Sequence, residues 1–156
     1  MAGHERSLAS PQFPGDDGSA APVLAEALGD DIAVLQALPG ARVFVPIVPL
    51  LGDAPVEGDK NADMAAVLMT GADGRQALLA FSSIATMAAW DAQARPVPVL
   101  GRDAALAALD EGATAILLDL GSLSFSVVEH DDVQHLAAGH RLVLSEVGAA
   151  WVSTTP

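Results

Sequence analysis

The chain has 156 residues, of which 20 are acidic and seven are Lys or Arg, so its formal net charge is −13. Electrostatic affinity for nucleic acid comes from cationic side chains that neutralise phosphates, so nucleic-acid binding and adhesion to an anionic membrane are both disfavoured. The sequence contains no Cys, which excludes disulfides, thiol nucleophiles and Cys-ligated metals.

Length and hydrophobic pattern favour one domain outside the membrane. A chain of this length is enough for one domain but not comfortably for two. No stretch approaches about 20 consecutive apolar residues, so no membrane span is expected. Residues 1–22 lack the basic start and apolar block of a signal peptide, and we therefore expect a cytoplasmic protein. The acidic balance favours solubility, and it also suits a basic protein partner.

The first part of the chain is predicted to be a tail followed by a helix. Residues 1–21 are rich in Gly, Ser, Pro and Asp without periodicity, which is typical of a disordered tail. Pro22 suits the first position of a helix, and Pro39-Gly40 ends it. Gly29-Asp30-Asp31 weakens the middle of this helix and could divide it. One apolar stripe at helical spacing is formed by Leu24, Leu28, Ile32, Leu35 and Leu38.

A strand and a long loop follow. Residues 42–48 are rich in β-forming residues and apolar on both faces. Pro46 has no N–H to donate, which predicts an edge strand or a bulge. The polar loop 49–62 is long enough to be a candidate contact surface, because loops of that length are more often functional than accidental.

The centre of the chain is predicted to be a hairpin followed by a helix. Two apolar runs, 64–70 and 75–81, flank a turn that ends in Asp73-Gly74, a pattern typical of antiparallel strands. Both faces of the runs are apolar, so we expect the hairpin to be covered on each side. Ser82 or Ser83 can cap the helix that carries Trp90.

The next segment is predicted to be a strand and a helix. Residues 95–100 form a short strand interrupted by Pro. Asp103 is the predicted cap of a helix over 104–111, with Leu106 and Leu109 facing inward.

The remaining elements complete an α+β pattern. Residues 114–120 predict a buried strand reached by a crossover from 95–100, and 124–128 predict another strand. A short helix is predicted over 131–138, and 141–156 form a C-terminal extension without a predicted structure. We therefore expect a single α+β domain with a mixed, largely antiparallel sheet and three or four helices packed on it.

Five short motifs, in their order and spacing, resemble the N-terminal domain of the SseB family (enhanced serine sensitivity protein B). They are RVFVP at 42–46, LAFSS at 79–83, AWD at 89–91, RPVP at 95–98 and GATAILLD at 112–119. The resemblance covers about residues 22–140. It implies a bacterial protein, and it supplies no agreed catalytic residues. Some family titles carry a type III secretion label, but this sequence lacks the heptads and apolar spans of a translocator.

Motifs for metal or phosphate chemistry are weak. His130, His135 and His140 are five residues apart, a spacing that rotates around a helix, so a solvated surface helix is favoured over a metal site. The glycines at 71–74 and at 101 lack the spacing and the Lys of a phosphate-binding loop. We predict no cofactor and no metal.

A hydrolase site is also weakly supported. Ser124 or Ser126, His130 and Asp119 could form a catalytic triad on paper, but the chain has no G-x-S-x-G motif that would expose a nucleophile. The residues 121–125, GSLSF, place Leu where that motif needs Ser.

The cluster where the hairpin meets the helix is the best candidate surface. Phe81, Ser82, Ser83, Trp90 and Arg95 can form a partner or ligand surface, because interfaces favour Trp and Arg. The alternative is that these residues are core packing and a helix cap. We expect a non-catalytic protein interaction or regulatory module with an unknown protein partner. A small hydrolase or transferase with a Ser- or carboxylate-centred site is the alternative, and a secretion-associated factor is a weaker one.

Overall fold

A computed structural model describes residues 13–49 and 64–153, and it confirms the α+β class. The described part contains five α-helices, one more than the upper expectation. They are α1 (Pro22–Ala27), α2 (Asp31–Ala37), α3 (Ile84–Trp90), α4 (Gly101–Asp110) and α5 (His130–Ala137), with a 3₁₀ turn over Leu38–Gly40. The strands are β1 (Arg42–Pro49), β2 (Met64–Ala66), β3 (Leu68–Thr70), β4 (Gln76–Ala80), β5 (Arg95–Leu100), β6 (Ala115–Leu118), β7 (Ser126–Val128), β8 (His140–Ser145) and β9 (Gly148–Ser153).

The predicted first helix is two helices. Gly29 takes a positive φ of 96°, which glycine adopts without strain, and the chain turns there. Asp30 then caps α2, because its side chain accepts hydrogen bonds from the N–H groups of Ile32 and Ala33. The segment Gly29-Asp30-Asp31, which weakens the middle of the predicted helix, therefore divides it into α1 and α2.

Strand β1 is central, and the prediction of an edge strand or a bulge was wrong. It lies between β2 and β5, and Pro46 faces Pro96 across the β1–β5 pair. The carbonyl of Pro46 points the other way and accepts the Val67 N–H at 3.3 Å. The N–H and C=O of one strand residue point to the same side of the strand. The N–H that Pro46 lacks would therefore also point toward Val67, so its absence removes no hydrogen bond from the β1–β5 pair.

The predicted hairpin is confirmed only in part. β3 and β4 pair antiparallel with Leu68 opposite Leu78, but residues 64–66 pair with β1. The change occurs at Val67, whose N–H bonds to Pro46 and whose carbonyl accepts the Leu79 N–H at 3.2 Å. β3 is an edge strand with Met69 39% exposed, so the expectation that both faces are covered was wrong for β3.

Two sheets meet at one backbone pair. The strand orders are β2-β1-β5 and β3-β4-β6-β7, and Phe44 and Phe81 exchange backbone hydrogen bonds of 2.7 and 2.8 Å between them. The pair β4–β6 is parallel and the other strand pairs in the described residues are antiparallel. The predicted crossover from β5 to β6 was therefore wrong, since β5 lies in the other sheet, and the parallel connection runs from β4 to β6.

Helix α4 differs from its prediction in start and in inward face. It begins at Gly101, so Asp103 lies in the first turn and makes no capping bond. A Cβ at Gly101 would lie 2.0 Å from the carbonyl oxygen of Leu38, so only glycine permits this approach. Leu106 is 46% exposed, so its predicted inward position was wrong, whereas Leu109 is partly buried against the hydrophobic core as predicted. The fully buried side chains are those of Ala104, Ala105 and Ala108.

Two hydrophobic clusters cover the two faces of the four-stranded sheet unequally. The larger one packs α1, α2, α4 and α5 against one face. The smaller one, which we call the second core, contains Phe44, Leu79, Phe81, Met87 and Ala94, with Trp90 packed against it. The second core covers the carboxyl end of β4, while Met69 and Val127 at the two edge strands stay exposed.

The termini contain more structure than the sequence indicated. Residues 13–21 make defined contacts, so the prediction of a disordered tail was wrong for that part, and residues 1–12 lie outside the described residues. The extension contains the antiparallel pair β8–β9. Within residues 13–49 and 64–153, no helix is long and apolar enough to cross a membrane.

Candidate functional site

The structure buries most of the predicted surface. Phe81 and Ser82 are fully buried, Ser83 is 8% exposed, Trp90 is half-buried and Arg95 is exposed at the start of β5. The rings of Phe81 and Trp90 are in contact, with centroids 5.6 Å apart. Of the five residues, Trp90 and Arg95 are therefore the two whose side chains are substantially exposed to solvent. The candidate loop 49–62 lies outside the described residues except for Pro49.

Ser83 is the cap of α3, as predicted for Ser82 or Ser83. Its hydroxyl accepts the N–H of Thr86 at 3.1 Å, and the Thr86 hydroxyl accepts the Ser83 N–H at 3.3 Å. This reciprocal arrangement satisfies two backbone donors at the helix start. The Thr86 hydroxyl also lies 3.0 Å from the carboxylate of Asp119, which links the cap to the sheet.

Asp119 is the centre of a buried polar network at the carboxyl ends of β4 and β6. Its Oδ1 accepts the Ser82 N–H at 2.7 Å, and its Oδ2 accepts the Ser82 hydroxyl at 2.6 Å. With Thr86, three donors converge on one fully buried carboxylate. Asp119 is the one non-glycine residue with positive φ, 60°, in the described ranges. Aspartate tolerates that conformation better than most residues.

The sequence contains a signal for this network, but the triad considered from the sequence pairs Asp119 with Ser124 or Ser126 and with His130. Asp119 directly follows the buried strand β6, and the ends of neighbouring parallel strands lie side by side. Its N–H donates to the carbonyl of Ala80, the last residue of β4. Ser82 follows two residues later. The hypothetical catalytic triad is not formed in the structure, because the Ser126 hydroxyl and Nδ1 of His130 are buried without a hydrogen-bond partner among the described residues.

Arg42 adds a second polar cluster beside the first. Its side chain is 6% exposed and donates to both carboxylate oxygens of Asp16, at 2.7 and 2.8 Å. It also donates to the carbonyls of Ser82, at 2.9 Å, and of Ser19. The hydrogen bond from Arg42 holds the pKa of Asp16 below its usual value. Sequence analysis missed this pair because Asp16 was assigned to the tail.

A cleft of about 600 Å³ opens over the Asp119 network. Gly18, Ser19, Ile84 and Ser124 form part of its wall, together with Ser82 and Asp119. Open sheets of parallel strands bind ligands outside their carboxyl ends, so the position is typical of a site. The carboxylate is nevertheless occupied by internal donors.

The edge strand β7 has two depressions, one on each side of the sheet. The first, which we call the edge groove, has about 420 Å³ between α2 and β7, and the second, the face hollow, has about 290 Å³. Ile32, Phe125 and Ser126 line the edge groove, and Met69 and Leu117 line the face hollow. Val127 and Glu129 line both.

Two of the three histidines, His135 and His140, contact each other from consecutive elements. His135 on α5 and His140 on β8 have Nδ1 atoms 2.9 Å apart, and the ring of Trp151 stacks on His135. Trp151 donates its indole N–H to Asp132 at 3.0 Å. His140 lies on a strand, so the interpretation of a surface helix was wrong for it. No group of three His, Asp or Glu residues in the described ranges could hold a metal ion.

Comparison with known proteins identifies a family. Residues 20–135 match the family model described as "SseB protein N-terminal domain", and this match covers well over half of the 156-residue chain. No curated protein and no solved structure matches the chain.

Proposed function

The chain belongs to the SseB family, and we propose that its domain is a non-catalytic protein interaction or regulatory module. The proposal separates two questions, namely whether the polar residues can perform chemistry and whether the surface can bind a protein.

The observation that carries the proposal is the closed hydrogen bonding of Asp119. Its carboxylate accepts three hydrogen bonds from Ser82 and Thr86, and it is fully buried. A general base must reach the proton that it removes from a substrate. A buried carboxylate that already holds three donors stabilises the junction between β4, α3 and β6, and these internal donors compete with any substrate for its acceptor positions.

The first proposed contact surface is that of Trp90 and Arg95. Trp90 ends α3 and rests on Phe81 of the second core, so its orientation is fixed by packing. A half-buried Trp held in this way loses little conformational entropy on binding. Ser82 and Ser83 support the surface from below by fixing the start of α3.

Recovery of a partner from native lysate by wild-type protein and by Trp90→Ala tests this surface. We expect the variant to lose the partner, and a matched variant of the other tryptophan, Trp151→Ala, to retain it. Circular dichroism excludes unfolding as the cause. Arg95→Ala is a second test that removes an exposed side chain, and it should weaken recovery without a change in stability. Equal recovery by all variants would remove this surface from the proposal.

One observation favours the alternative, a Ser-centred hydrolase or transferase. The Ser82 hydroxyl lies 2.6 Å from Asp119 in the wall of the cleft at the ends of two parallel strands. Purified protein can be tested for turnover of ester, phosphate and peptide panels. Turnover that Ser82→Ala abolishes would support the enzyme and would contradict the interaction module.

A further inference from the structure

We propose that β7 is the acceptor edge for a strand of a partner protein, in which apolar residues alternate with Lys or Arg. This inference rests on the proposed interaction function and names a second surface for it. In strand addition, main-chain hydrogen bonds supply affinity and the pockets for alternate side chains supply specificity.

The first argument is the free edge. β7 pairs with β6 on one side, and no other strand of residues 13–49 and 64–153 pairs with its outer side. An edge strand presents unpaired backbone N–H and C=O groups that another chain can use. The strand has three residues, so we expect a short contact of modest affinity.

The second argument is the pair of depressions. Successive side chains of an added strand point to opposite faces of the sheet. One set would enter the edge groove beside Ile32 and Phe125, and the other set would enter the face hollow beside Leu117. Phe125, which lines the edge groove, and Val127, which lines both depressions, are 42% and 40% exposed, so each depression offers apolar area that a partner could cover.

The third argument is charge. Three carboxylates line the edge groove, those of Asp31, Glu129 and Asp132, and no Lys or Arg is among the residues that line it. Together with the net charge of −13, this favours a cationic occupant. A second copy of the chain would bring the same carboxylates and the same net charge, so self-association at this edge is disfavoured.

The fourth argument is an unpaired hydroxyl. The Oγ of Ser126 is buried in the wall of the edge groove and has no hydrogen-bond partner among the described residues. Buried polar groups are almost always hydrogen-bonded in folded proteins. An added strand would bring a backbone or side-chain group that can satisfy this hydroxyl once the Ser126 side chain rotates toward the groove.

Hydrogen exchange with three synthetic peptides tests the assignment. The probe is a short acetylated peptide of alternating Lys and Val. The first control replaces Lys by Glu, and the second keeps every charge but carries N-methyl groups on alternate amides, which removes backbone pairing. We expect the Lys-Val peptide to protect the amides of β7. We expect binding to be at least about tenfold weaker for the Glu-Val peptide and for the N-methylated peptide.

Charge variants locate the contact. The double variant Asp31→Asn/Glu129→Gln removes two carboxylates of the edge groove, and Asp103→Asn/Glu111→Gln, at the first turn and the C-cap of α4, is the matched control. We expect the first to weaken Lys-Val binding roughly fivefold and the second to leave it unchanged. Equal binding of the N-methylated peptide, or protection elsewhere than β7, would overturn the inference.

The same measurement distinguishes other occupants. Protection of the β7 amides that point away from β6, if it rises with protein concentration in the free protein, would identify a second copy, and protection of those amides at all concentrations would identify a segment of the same chain. Either result contradicts the proposal. If the peptides fail while Trp90→Ala still loses a lysate partner, the edge assignment falls and the interaction function stands. Failure of both tests removes both.

Discussion

The two polar regions of the four-stranded sheet use similar residues in opposite ways. At the carboxyl ends of β4 and β6, Ser82 and Asp119 are buried and joined to each other. At the β7 edge, the hydroxyl of Ser126 is also buried, but it has no partner in the described structure, and Phe125 beside it is exposed. The polar groups of the first region bond to each other, and the second region leaves a hydroxyl unpaired and apolar area exposed. We call the first the closed region and the second the open region.

This difference shows why a residue type does not by itself identify a functional site. Serine beside a carboxylate suggests chemistry, but in the closed region both residues are buried and hydrogen-bonded to each other. The open region contains no catalytic motif, yet it combines a free backbone edge, exposed apolar side chains and carboxylates. We therefore expect substitutions in the closed region to lower stability, and substitutions at the edge to change binding.

The largest expected effect is that of Asp119→Ala. The variant leaves the N–H and hydroxyl of Ser82 without their acceptor in a buried position, whereas the Thr86 hydroxyl keeps the Ser83 carbonyl at 3.0 Å. Each unsatisfied buried donor costs about 1–3 kcal/mol, and local water can satisfy some of them, so we expect a loss of roughly 3 kcal/mol. Urea denaturation followed by circular dichroism measures the free energy of unfolding.

Asp119→Asn separates the charge from the backbone conformation. Asparagine tolerates the φ of 60° and retains one acceptor oxygen, so the loss should be clearly smaller than for alanine. A stability of Asp119→Ala within error of the wild type would contradict the description of this region as closed.

Arg42→Met is expected to have the next largest effect. The variant removes the donors to Asp16 and to the carbonyl of Ser82 from a site that is 6% exposed. We expect a loss of about 2 kcal/mol and faster amide exchange at Gly18 and Ser19. The control is Arg75→Met, whose ion pair with Asp73 is exposed, so its loss of stability should be clearly smaller than that of Arg42→Met. Equal losses would mean that burial does not distinguish the two pairs.

A smaller effect is expected in the pH dependence of stability. The pKa of Asp16 lies below its usual value of 3.8 in the folded protein, chiefly because Arg42 donates to it. A carboxyl group with a lowered folded pKa binds fewer protons in the folded state. Its stabilisation is therefore present above about pH 4 and is lost as the pH falls through the folded pKa.

Unfolding free energies of the wild type and Asp16→Asn between pH 7 and pH 3 measure this contribution. The difference between the two proteins should shrink toward acid pH. Asp73→Asn is the matched control, because Arg75 also lowers the pKa of Asp73 but on an exposed turn, where solvent screens the pair. If the difference in unfolding free energy between the wild type and Asp16→Asn does not change with pH, the ion pair of Asp16 and Arg42 does not contribute to the stability of the closed region.

The features that the sequence predicted well are those decided by residues close together in the chain. The turn at Gly74 and the cap at Ser83 are examples, since their partners lie within four residues. The contact of Ser82 with Asp119 spans 37 residues and depends on the parallel pairing of β4 and β6. The sequence predicted a strand at 124–128, but whether that strand is at an edge depends on the order of the sheet.

The predicted contact residues show the same limit. Phe81 and Trp90 were correctly placed where a strand meets a helix, and their rings do touch. That Ser82 turns inward, toward Asp119, could not be derived from local pattern, because both faces of this segment are apolar or small. The prediction for Pro46 was wrong for a related reason. The side of Pro46 that lacks an N–H is turned toward Val67 and not toward β5.

The smallest expected change in stability is that of Ser126→Ala, and its comparison with Ser82→Ala is the sharpest test of the two regions. Ser82→Ala removes a hydroxyl that donates to Asp119 at 2.6 Å, so we expect a loss of about 1–2 kcal/mol. Ser126→Ala removes a buried hydroxyl that has no partner among the described residues, so the free energy of unfolding should stay the same or rise by up to about 1 kcal/mol.

Both serine variants make the same chemical change within one sheet and can be measured by the same urea denaturation. If the β7 edge accepts a strand that satisfies the Ser126 hydroxyl, Ser126→Ala should also bind the Lys-Val peptide more weakly while it folds at least as well. A loss of stability equal to that of Ser82→Ala would show that Ser126 has an internal partner. The contrast between a closed region and an open one would then not hold at this position.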